Sequence, residues 1–347
     1  LVNAHTHVEL SALRGQVTGG RGFVPWIDAL LGARLEGDPE SDTGAIERAV
    51  DELHAAGTAA VGDVTNSLAT VGALARKKIG GAIFHEVFGV DRTAILARLH
   101  GLKDEVAERV GAWSTSDLAY APAIHTLYTT HADAVREVVR HVVERGLKTT
   151  LHLAEHPAER RAIEHGDGPI TEWLARRVKR GALAWPLVSP VVYADTLGAL
   201  APEVLLVHLT DAKREELDLV AQRGSAVVLC PRSNIFIETR CPPLLAALDA
   251  GIEPALGTDS LASNASLDVL AEARALADRF SSVRPQHLLR MATWNGARAL
   301  GRPDLGRIAK GSRPGVLAID GAVPANVDPS AFVLSHLRAP RRWIVPR

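Results

Sequence analysis

The sequence predicts an α/β fold, namely a (β/α)8 TIM barrel over residues 1–300 followed by a small β appendage over residues 301–347. Three observations favour this fold. Short apolar runs recur along the chain, segments with helical periodicity separate them, and histidines or carboxylates stand where several runs end. Apolar strands that alternate with helices are typical of a parallel sheet covered on both faces. A doubly wound open sheet is the alternative, but no glycine-rich phosphate loop follows the first strand.

The eight strands of the barrel are predicted from the apolar runs at 2–7, 58–65, 80–90, 118–125, 147–155, 204–210, 226–231 and 254–260. The helices expected between them cover 42–56, 92–110, 131–145, 157–165, 169–180, 211–223 and 241–250. Asp42 or Thr43 would cap the first of these helices, because a short polar side chain accepts the free N–H groups of a first turn. Gly57 and Gly146 follow two helices, where a left-handed residue is favoured.

The first connection, residues 8–41, is unusually long for a compact barrel. It holds the glycine-rich stretch TGGRG and then FVPWIDALLGAR, and connections of this length usually act as lids or binding loops. Further helices are expected near 265–279 and 285–300. The tail is rich in proline and arginine, with apolar bursts at 316–320 and 341–347, which favours a small β structure.

Composition excludes several classes of partner. A net charge of −1 gives no global field that would attract nucleic acid or an anionic membrane, and no apolar run approaches the roughly 20 residues that span a bilayer. Two cysteines cannot form a disulfide framework, which indicates a cytoplasmic protein. The chain begins inside a strand without an initiator Met, so we expect a segment upstream of it. The oligomeric state stays open, with a homodimer as one compatible arrangement.

The opening run LVNAHTH places two histidines on one strand. His5 and His7 are two residues apart, so their side chains project from the same face of that strand. Three further histidines stand at later predicted strand ends: His125, His152 and His208. Five of the fourteen histidines therefore lie at carboxyl ends of strands, and in a parallel barrel these ends surround one centre.

The strand-end residues form a set that suits a catalytic metal ion. His5, His7, His152 and Asp259 offer three imidazole nitrogens and one carboxylate oxygen, which is a donor set for one divalent metal, Zn²⁺ first and Fe²⁺ as the alternative. Asp259 is also placed to take a proton from water, and His208 to orient the resulting hydroxide or to bind the metal. Glu155 lies just past its strand, where it can face a substrate as an acid.

Each of these residues also has an ordinary structural interpretation. His152 and His208 are compatible with hydrogen-bonded core histidines, and Asp259 with a cap on the next helix. Glu155 precedes Pro157, where a carboxylate favours a helix start. Convergence of the whole set on one end of the barrel favours the metal centre.

Several segments resemble the amidohydrolase superfamily, and within it the branch of cytosine deaminases, S-adenosylhomocysteine deaminases and chlorohydrolases. The segments are LVNAHTHVELS, HLAEH, LVHLT, CPRSN, LGTDSLASN, ATWNGARALG and LGRIAKGSRPG. The resemblance implies a metal-dependent (β/α)8 barrel with a β-sandwich built from both ends of the chain, so the N-terminal half of the sandwich would be absent here. It also implies one metal ion, because no lysine ends the fourth strand, where two-metal relatives hold a carbamylated one.

The resemblance implies a role for each member of the candidate site. The metal ligands would be His5, His7, His152 and Asp259. Glu155 would protonate the ring nitrogen beside the attacked carbon, His208 would polarise the hydroxide, and Asp259 would shuttle protons. His125 corresponds to a substrate-contacting histidine of the nucleoside deaminases, although Ala-Ile precedes it where relatives often have a proline.

The first connection also resembles that of the 6-aminodeoxyfutalosine deaminases, which share its closely spaced Phe and Trp. Phe23 and Trp26 would then stack on a flat heterocycle, or else pack the connection onto the barrel. Arg21, Glu86 and Glu9 are further candidates for substrate contacts.

The sequence therefore predicts a metal-dependent deaminase that releases ammonia from an aminated heterocycle, in particular an adenine-type nucleoside. A chlorohydrolase or cyclic amidohydrolase of the same branch is one alternative. A barrel that binds a metal or a metabolite without turnover is the other, and the proton-transfer set of Glu155, His208 and Asp259 argues against it.

Overall fold

A computed structural model describes residues 1–36, 42–110, 117–178, 184–313 and 315–346. The strands are β1 Val2–Thr6, β2 Ala60–Thr65, β3 Gly80–Val87, β4 Leu118–Ile124, β5 Thr149–Leu153, β6 Val204–His208, β7 Ala226–Leu229, β8 Ala255–Leu256, β9 Val316–Ile319 and β10 Arg341–Val345. The first eight confirm the predicted strands, each shortened at one or both ends.

The α-helices fill the connections between strands and the C-terminal part. They are α1 Phe23–Glu36, α2 Thr43–Ala55, α3 Val71–Arg76, α4 Arg92–Val110, α5 Ala132–Arg145, α6 Pro157–His165, α7 Pro169–Ala175, α8 Pro190–Thr196, α9 Arg214–Arg223, α10 Pro231–Glu238, α11 Leu244–Asp249, α12 Val269–Arg279, α13 Pro285–Arg290, α14 Gly296–Ala299 and α15 Pro329–Ser335. A 3₁₀ helix follows β1 at Val8–Leu13, and a π-helical turn covers Met291–Asn295.

The first eight strands are parallel and close into a (β/α)8 barrel. Two four-stranded sheets run in the orders β1-β2-β3-β4 and β5-β6-β7-β8. They meet at one seam through a parallel bridge between Thr126 and His152, and at the other through a bridge between Thr6 and Asp259. Both seams contain predicted site residues, so closure of the barrel itself brings these residues together.

The core follows the apolar runs of the sequence. The strands are buried almost throughout, and the interior of the barrel holds Val2, Phe84, Leu205 and Val228, among others. Helices such as α5 bury an apolar stripe against the outside of the sheet. Within the described residues, no helix is both long enough and apolar enough to cross a membrane.

The structure differs from the sequence prediction in the connections. The first connection, predicted as a lid or binding loop, contains the 14-residue helix α1, and residues 37–41 lie outside the described part. Helices α3, α8 and α10 were not predicted, since they are only six to eight residues long and carry little periodicity. The predicted end of the helix at 169–180 lies partly outside the described residues.

Beyond residue 300 the chain forms an antiparallel pair, β9 with β10, at the two apolar bursts that predicted it; Arg347 is not described. Helix α15 lies between these strands and was not predicted. The boundary between barrel and appendage at residue 300 stays a prediction.

Candidate metal centre and active-site cavity

The carboxyl end of β1 is held in place by its neighbour β2. Asp63 accepts the backbone N–H of Val8 at 2.9 Å and the hydroxyl of Thr70 at 2.6 Å, which fixes the chain immediately after His7. His5 is fully buried, and neither of its ring nitrogens has a hydrogen-bond partner among the described residues. Two unpaired nitrogens in the interior are costly, and a metal ion would satisfy the inward one.

His152, at the end of β5, is oriented by a hydrogen bond from the neighbouring strand. Its Nδ1 donates to the carbonyl oxygen of His125 at 2.9 Å, so Nε2 carries the lone pair. That Nε2 lies 3.3 Å from Nε2 of His7. Two nitrogens bound at about 2.0–2.1 Å to one tetrahedral Zn²⁺ would lie about 3.3 Å apart. The separation therefore fits two ligands of a single ion.

Asp259 completes the cluster from the end of β8. Its Oδ1 lies 3.8 Å from Nε2 of His5 and 3.6 Å from Nε2 of His7. Its Oδ2 accepts the hydroxyls of Ser233 at 2.6 Å and Ser263 at 3.0 Å. Burial alone would raise the pKa of Asp259, but the surrounding imidazoles hold the pKa well below its usual value. The carboxylate is thus ionised and turned toward the histidines.

A glycine allows β8 to approach β1 closely enough for this cluster. A Cβ on Gly257 would lie 2.7 Å from both the Cβ and the carbonyl oxygen of His5, which excludes any larger residue. The N–H groups of Thr258 and Asp259 then donate to that carbonyl at 3.0 and 3.1 Å. The close contact brings the carboxylate of Asp259 to the two histidines of β1.

Burial favours the neutral form of His7 and His152, which is the form that binds metals. Burial, with His5 as the next cause, lowers the pKa of His152 to about 4 and that of His7 well below its ordinary value. Ligand-type atoms of His5, His7 and His152 all lie within 4.8 Å of one another. A second such group, Glu86 with His125 and His152, shares His152. Because Nδ1 of His152 is engaged by the His125 carbonyl, the donor set fits one ion.

Glu155 and His208 face each other beside the cluster. Oε1 of Glu155 lies 3.6 Å from Nε2 of His208, and Nδ1 of His208 contacts the side-chain amide of Asn234 at 3.1 Å. Burial raises the pKa of Glu155 well above its ordinary value, and the charges of Asp259 and Glu159 add to this effect. A raised pKa suits a carboxyl group to act as a general acid near neutral pH.

Left-handed backbone recurs where the strands reach the site. Ala154, His208, Leu209 and Asp259 have φ values of 48°, 78°, 48° and 58°. A non-glycine residue in this region costs about 1–2 kcal/mol, and such strain tends to occur at functional sites. These turns direct the side chains of Glu155, His208 and Asp259 toward the same space.

A cavity of about 330 Å³ opens above the cluster. Its walls are largely apolar and come from the 3₁₀ helix, α1, α7 and the strand ends, with residues Leu10, Trp26, Ile27, Leu30, Leu31, Phe88, Tyr128, Ile170 and Trp173. Its floor contains His7, His152, Glu155, His208 and Asp259. An apolar cavity with a few polar groups at one end is typical of a site for a small organic molecule.

Four of the candidate substrate contacts line this cavity: Glu86, His125, Trp26 and Phe23. Oε1 of Glu86 has no hydrogen-bond partner among the described residues, and burial is the main cause that lowers the pKa of His125 to about 4. Phe23 lies at the cavity wall but stacks on His156, with ring centroids 3.9 Å apart, so one face of Phe23 packs α1 onto α6.

Arg21 and Glu9, the two remaining candidates, lie in different surroundings. Arg21 is exposed and lies on a separate surface cleft with Glu172 and Glu238, since the chain turns away from the cavity before α1 begins. We do not propose Arg21 as a substrate contact. Glu9 lines the cavity, and its buried carboxylate also accepts hydrogen bonds from Thr65, Asn66 and Ser67, which hold the loop after β2. Its contact with a substrate stays a prediction.

Several residues of the site were not assigned a role from the sequence. Ser233 and Asn234 on α10, Ser263 after β8, and Glu159 on α6 contact the predicted site residues directly. Ser233 and Asn234 belong to CPRSN, and Ser263 to LGTDSLASN, segments that contributed only to the family resemblance. The polar pair Ser233–Asn234, a few residues after the apolar strand β7, is a signal that could have indicated these two residues.

Comparisons with known proteins agree on one family. The profile described as "Amidohydrolase family" matches residues 1–341. An aminodeoxyfutalosine deaminase from Deinococcus radiodurans is 32% identical over 313 residues, covering 86% of this chain and 72% of its own length. A 5-methylthioadenosine/S-adenosylhomocysteine deaminase from Nitratidesulfovibrio vulgaris is 31% identical, covering 97% of this chain and 74% of its own length.

Solved structures show the same fold. The aminofutalosine deaminase of Helicobacter pylori in complex with methylthio-coformycin superposes with a TM-score of 0.87 at 23% identity, covering 99% of this chain and 84% of that one. An adenosine deaminase from Xanthomonas campestris with bound zinc superposes with a TM-score of 0.75 at 25% identity, covering 98% and 75%.

Proposed function

The chain belongs to the amidohydrolase family, and on that premise we propose that it is a metal-dependent deaminase that hydrolyses the amino group of an adenine-type nucleoside. The observation that carries the proposal is the pairing of a three-histidine, one-carboxylate cluster with a buried carboxyl group, Glu155, whose pKa is raised. Relatives that are 31–32% identical are deaminases of adenine-type nucleosides. Deamination requires both a hydroxide source and an acid for the ring nitrogen.

We assign the metal to His5, His7, His152 and Asp259. The orphaned nitrogens of His5 and the 3.3 Å separation between His7 and His152 support this assignment. One Zn²⁺ suits the donor set, and Fe²⁺ is the alternative. When bound, such an ion lowers the pKa of water to about 7 and so supplies hydroxide at neutral pH.

The residues around the ion account for the proton transfers. The protonated Glu155 donates to the ring nitrogen beside the amine-bearing carbon as that carbon becomes tetrahedral. His208, beside Glu155, orients the attacking oxygen. Asp259 removes its proton and passes it to the departing amine. The carbon–nitrogen bond then breaks, ammonia leaves, and a carbonyl stands where the amine was.

The cavity supports a nucleoside rather than a free base. Its volume of about 330 Å³ and its apolar wall suit a substrate with a purine and a further substituent. We propose that the unpaired carboxylate oxygen of Glu86 accepts hydroxyl groups of the sugar and that His125 contacts the base. Trp26 forms part of the apolar wall over the ligand. The substrate class is therefore a 5′-substituted adenine nucleoside such as aminodeoxyfutalosine.

A direct assay tests the function. Protein loaded with Zn²⁺ is incubated separately with aminodeoxyfutalosine, 5-methylthioadenosine, S-adenosylhomocysteine and adenosine. We expect stoichiometric ammonia release and a mass increase of the nucleoside by about one dalton, as oxygen replaces the NH group. Metal-replete protein that releases no ammonia from any of the four would contradict the proposal. Chloride release from a chlorinated triazine would instead favour a chlorohydrolase.

A cytoplasmic location and a homodimeric state stay proposals. The free thiols of Cys230 and Cys241 are compatible with a reducing compartment. Size-exclusion chromatography with light scattering measures the oligomeric state directly.

A further inference from the structure

The backbone that carries Glu155 is held by a second glutamate, Glu159 on α6. Its Oε1 accepts the N–H of Ala154 at 3.0 Å, and its Oε2 accepts the N–H of Glu155 at 2.8 Å. Glu159 is 1% exposed. Two backbone N–H groups that donate to the two oxygens of one buried carboxyl group form a clamp. The clamp lies directly after β5, where the chain leaves the sheet.

This arrangement differs from ordinary helix capping. His156 is the N-cap of α6, and its Nδ1 accepts the N–H of Glu159 at 3.1 Å. In a capping box the carboxylate at the third helical position would bond the N–H of the cap residue itself. Here the carboxylate reaches past His156 to the two preceding residues. Glu159 therefore holds the turn that carries Glu155, rather than the end of its own helix.

The turn under the clamp is in a backbone conformation that it would not adopt by itself. Ala154 has a φ of 48°, in the left-handed region that alanine rarely occupies. The bond from its N–H to Glu159 keeps it there. The carbonyl oxygen of Ala154 is held from the other side, because it accepts the N–H of Asp211 at 2.8 Å.

Arg160, the next residue on α6, holds Asp211, which in turn bonds the carbonyl oxygen of Ala154. Arg160 donates to the carboxylate of Asp211 at 2.6 Å and to its carbonyl oxygen at 2.7 Å. Asp211 follows the strained residues His208 and Leu209. Neighbouring residues of one helix thus support both the turn with Glu155 and the turn with His208.

We propose that Glu159 is a positioning residue that acts through Glu155: it fixes the backbone of Ala154 and Glu155 so that the acid reaches the ring nitrogen of the substrate. This inference rests on the proposed deaminase function. A displacement of about 1 Å in a catalytic group can cost about a hundredfold in rate. Glu159→Gln keeps the size of the side chain but offers one acceptor oxygen for two N–H groups.

A double-mutant cycle on kcat tests the proposal. In the otherwise native, zinc-loaded enzyme we expect Glu159→Gln to lower kcat about 10- to 100-fold, with KM changed less than about threefold. In an enzyme that already carries Glu155→Gln, Glu159→Gln should change kcat less than about twofold, because the acid that Glu159 positions is no longer present. Product formed by the slow variants is measured by mass spectrometry over hours. Equal factors in both backgrounds would overturn the proposal.

Two further variants separate position from general stability. Arg161→Gln alters the same helix at an exposed position, where Arg161 pairs with Asp167 at 2.8 Å, and it should leave kcat and metal content unchanged. Glu159→Asp keeps the charge but shortens the side chain; we expect a loss of kcat similar to that of Glu159→Gln, and native kcat in Glu159→Asp would overturn the proposal. If Glu159→Gln fails to fold, the cycle is carried out with Glu159→Asp. Failure of the native enzyme to release ammonia would refute the deaminase function itself. That outcome differs from failure of the Glu159 proposal, in which the native enzyme is active and the two factors in kcat are equal.

Discussion

Nδ1 of His152 donates to the carbonyl oxygen of His125 at 2.9 Å across the seam between β5 and β4. Nε2 of His152 is thereby turned to within 3.3 Å of Nε2 of His7. One hydrogen bond therefore links closure of the barrel to the orientation of a proposed metal ligand. The backbone N–H of His152 donates to the same carbonyl at 3.0 Å, so the ring and the strand are fixed together.

Loss of a proposed ligand should remove the metal. We expect the native protein to hold about one equivalent of divalent metal, and His152→Ala or His7→Ala to lower the metal content at least several-fold after dialysis, because three ligands bind the ion more weakly than four. Metal per chain is measured by inductively coupled plasma mass spectrometry. His100→Ala is the control, since His100 is exposed on α4 and pairs with Glu137. Full metal content in both ligand variants would contradict the assignment.

Removal of the proposed acid should separate turnover from metal binding. Glu155→Gln cannot donate the proton to the ring nitrogen, so we expect kcat to fall by about 10²- to 10⁴-fold with metal content unchanged. Steady-state ammonia release and metal analysis on the same sample check both expectations. Unchanged turnover would exclude Glu155 as the acid.

Ser233 should affect kcat through its hydrogen bond to Asp259. Its hydroxyl donates to Oδ2 of that carboxylate at 2.6 Å, and hydrogen bonds to a charged group contribute about 1.5–3 kcal/mol. We expect Ser233→Ala to lower kcat about tenfold, with a smaller effect for Ser263→Ala, whose bond is longer at 3.0 Å. The ranking of kcat for the two variants is the measurement, and the reverse ranking would argue against the role of Ser233.

The sequence alone predicts the barrel and much of the cluster for a definite physical reason. The apolar runs define eight strands, and parallel strands in a barrel bring their carboxyl ends together. His5, His7, His152 and Asp259 stand at such ends, so the topology predicts their meeting without any knowledge of distances. The positions of residues at strand ends follow from the strand order alone and do not depend on the conformation of the loops.

The remaining contacts depend on short elements that leave little periodic signal. Helix α10 begins at Pro231, immediately after β7, and brings Ser233 and Asn234 to Asp259 and His208. Arg21 was a candidate for a substrate contact, yet it is exposed and lines another cleft. The direction of a loop is decided by tertiary packing, which a single sequence does not encode locally.

Stability should respond to pH through His156. Burial lowers its pKa to about 3, whereas an unfolded histidine has a pKa of about 6.5. Between these values the unfolded chain binds a proton that the folded chain does not, so the free energy of unfolding falls as the pH is lowered from about 6.5. At pH 5 this group costs about 2 kcal/mol relative to pH 8.

His156→Asn isolates that contribution, because asparagine also caps helices but does not titrate. The measured quantity is the free energy of unfolding of the variant minus that of the native chain. We expect this difference to be about 2 kcal/mol more favourable to the variant at pH 5 than at pH 8, measured by urea unfolding at both pH values. A constant difference for His156→Asn would show that the imidazole titrates freely in the folded chain.

The C-terminal strand pair should stabilise the barrel through Arg341. Its guanidinium, 5% exposed, bonds the carboxylate of Asp268 at 2.7 and 2.9 Å and the carbonyl oxygen of Ala56 at 2.7 Å. Arg341→Ala removes the ion pair of the largely buried Asp268 carboxylate, which keeps only its helix-capping bond from the N–H of Leu270 at 3.0 Å among these contacts. We therefore expect a loss of about 2–4 kcal/mol in the free energy of unfolding and an unchanged KM. Arg342→Ala is the matched control: Arg342 is 67% exposed and lies 3.6 Å from Asp320, and exposed pairs contribute at most about 1 kcal/mol. Urea unfolding of the two variants distinguishes them, and equal stabilities would mean that β10 contributes little to holding the barrel together.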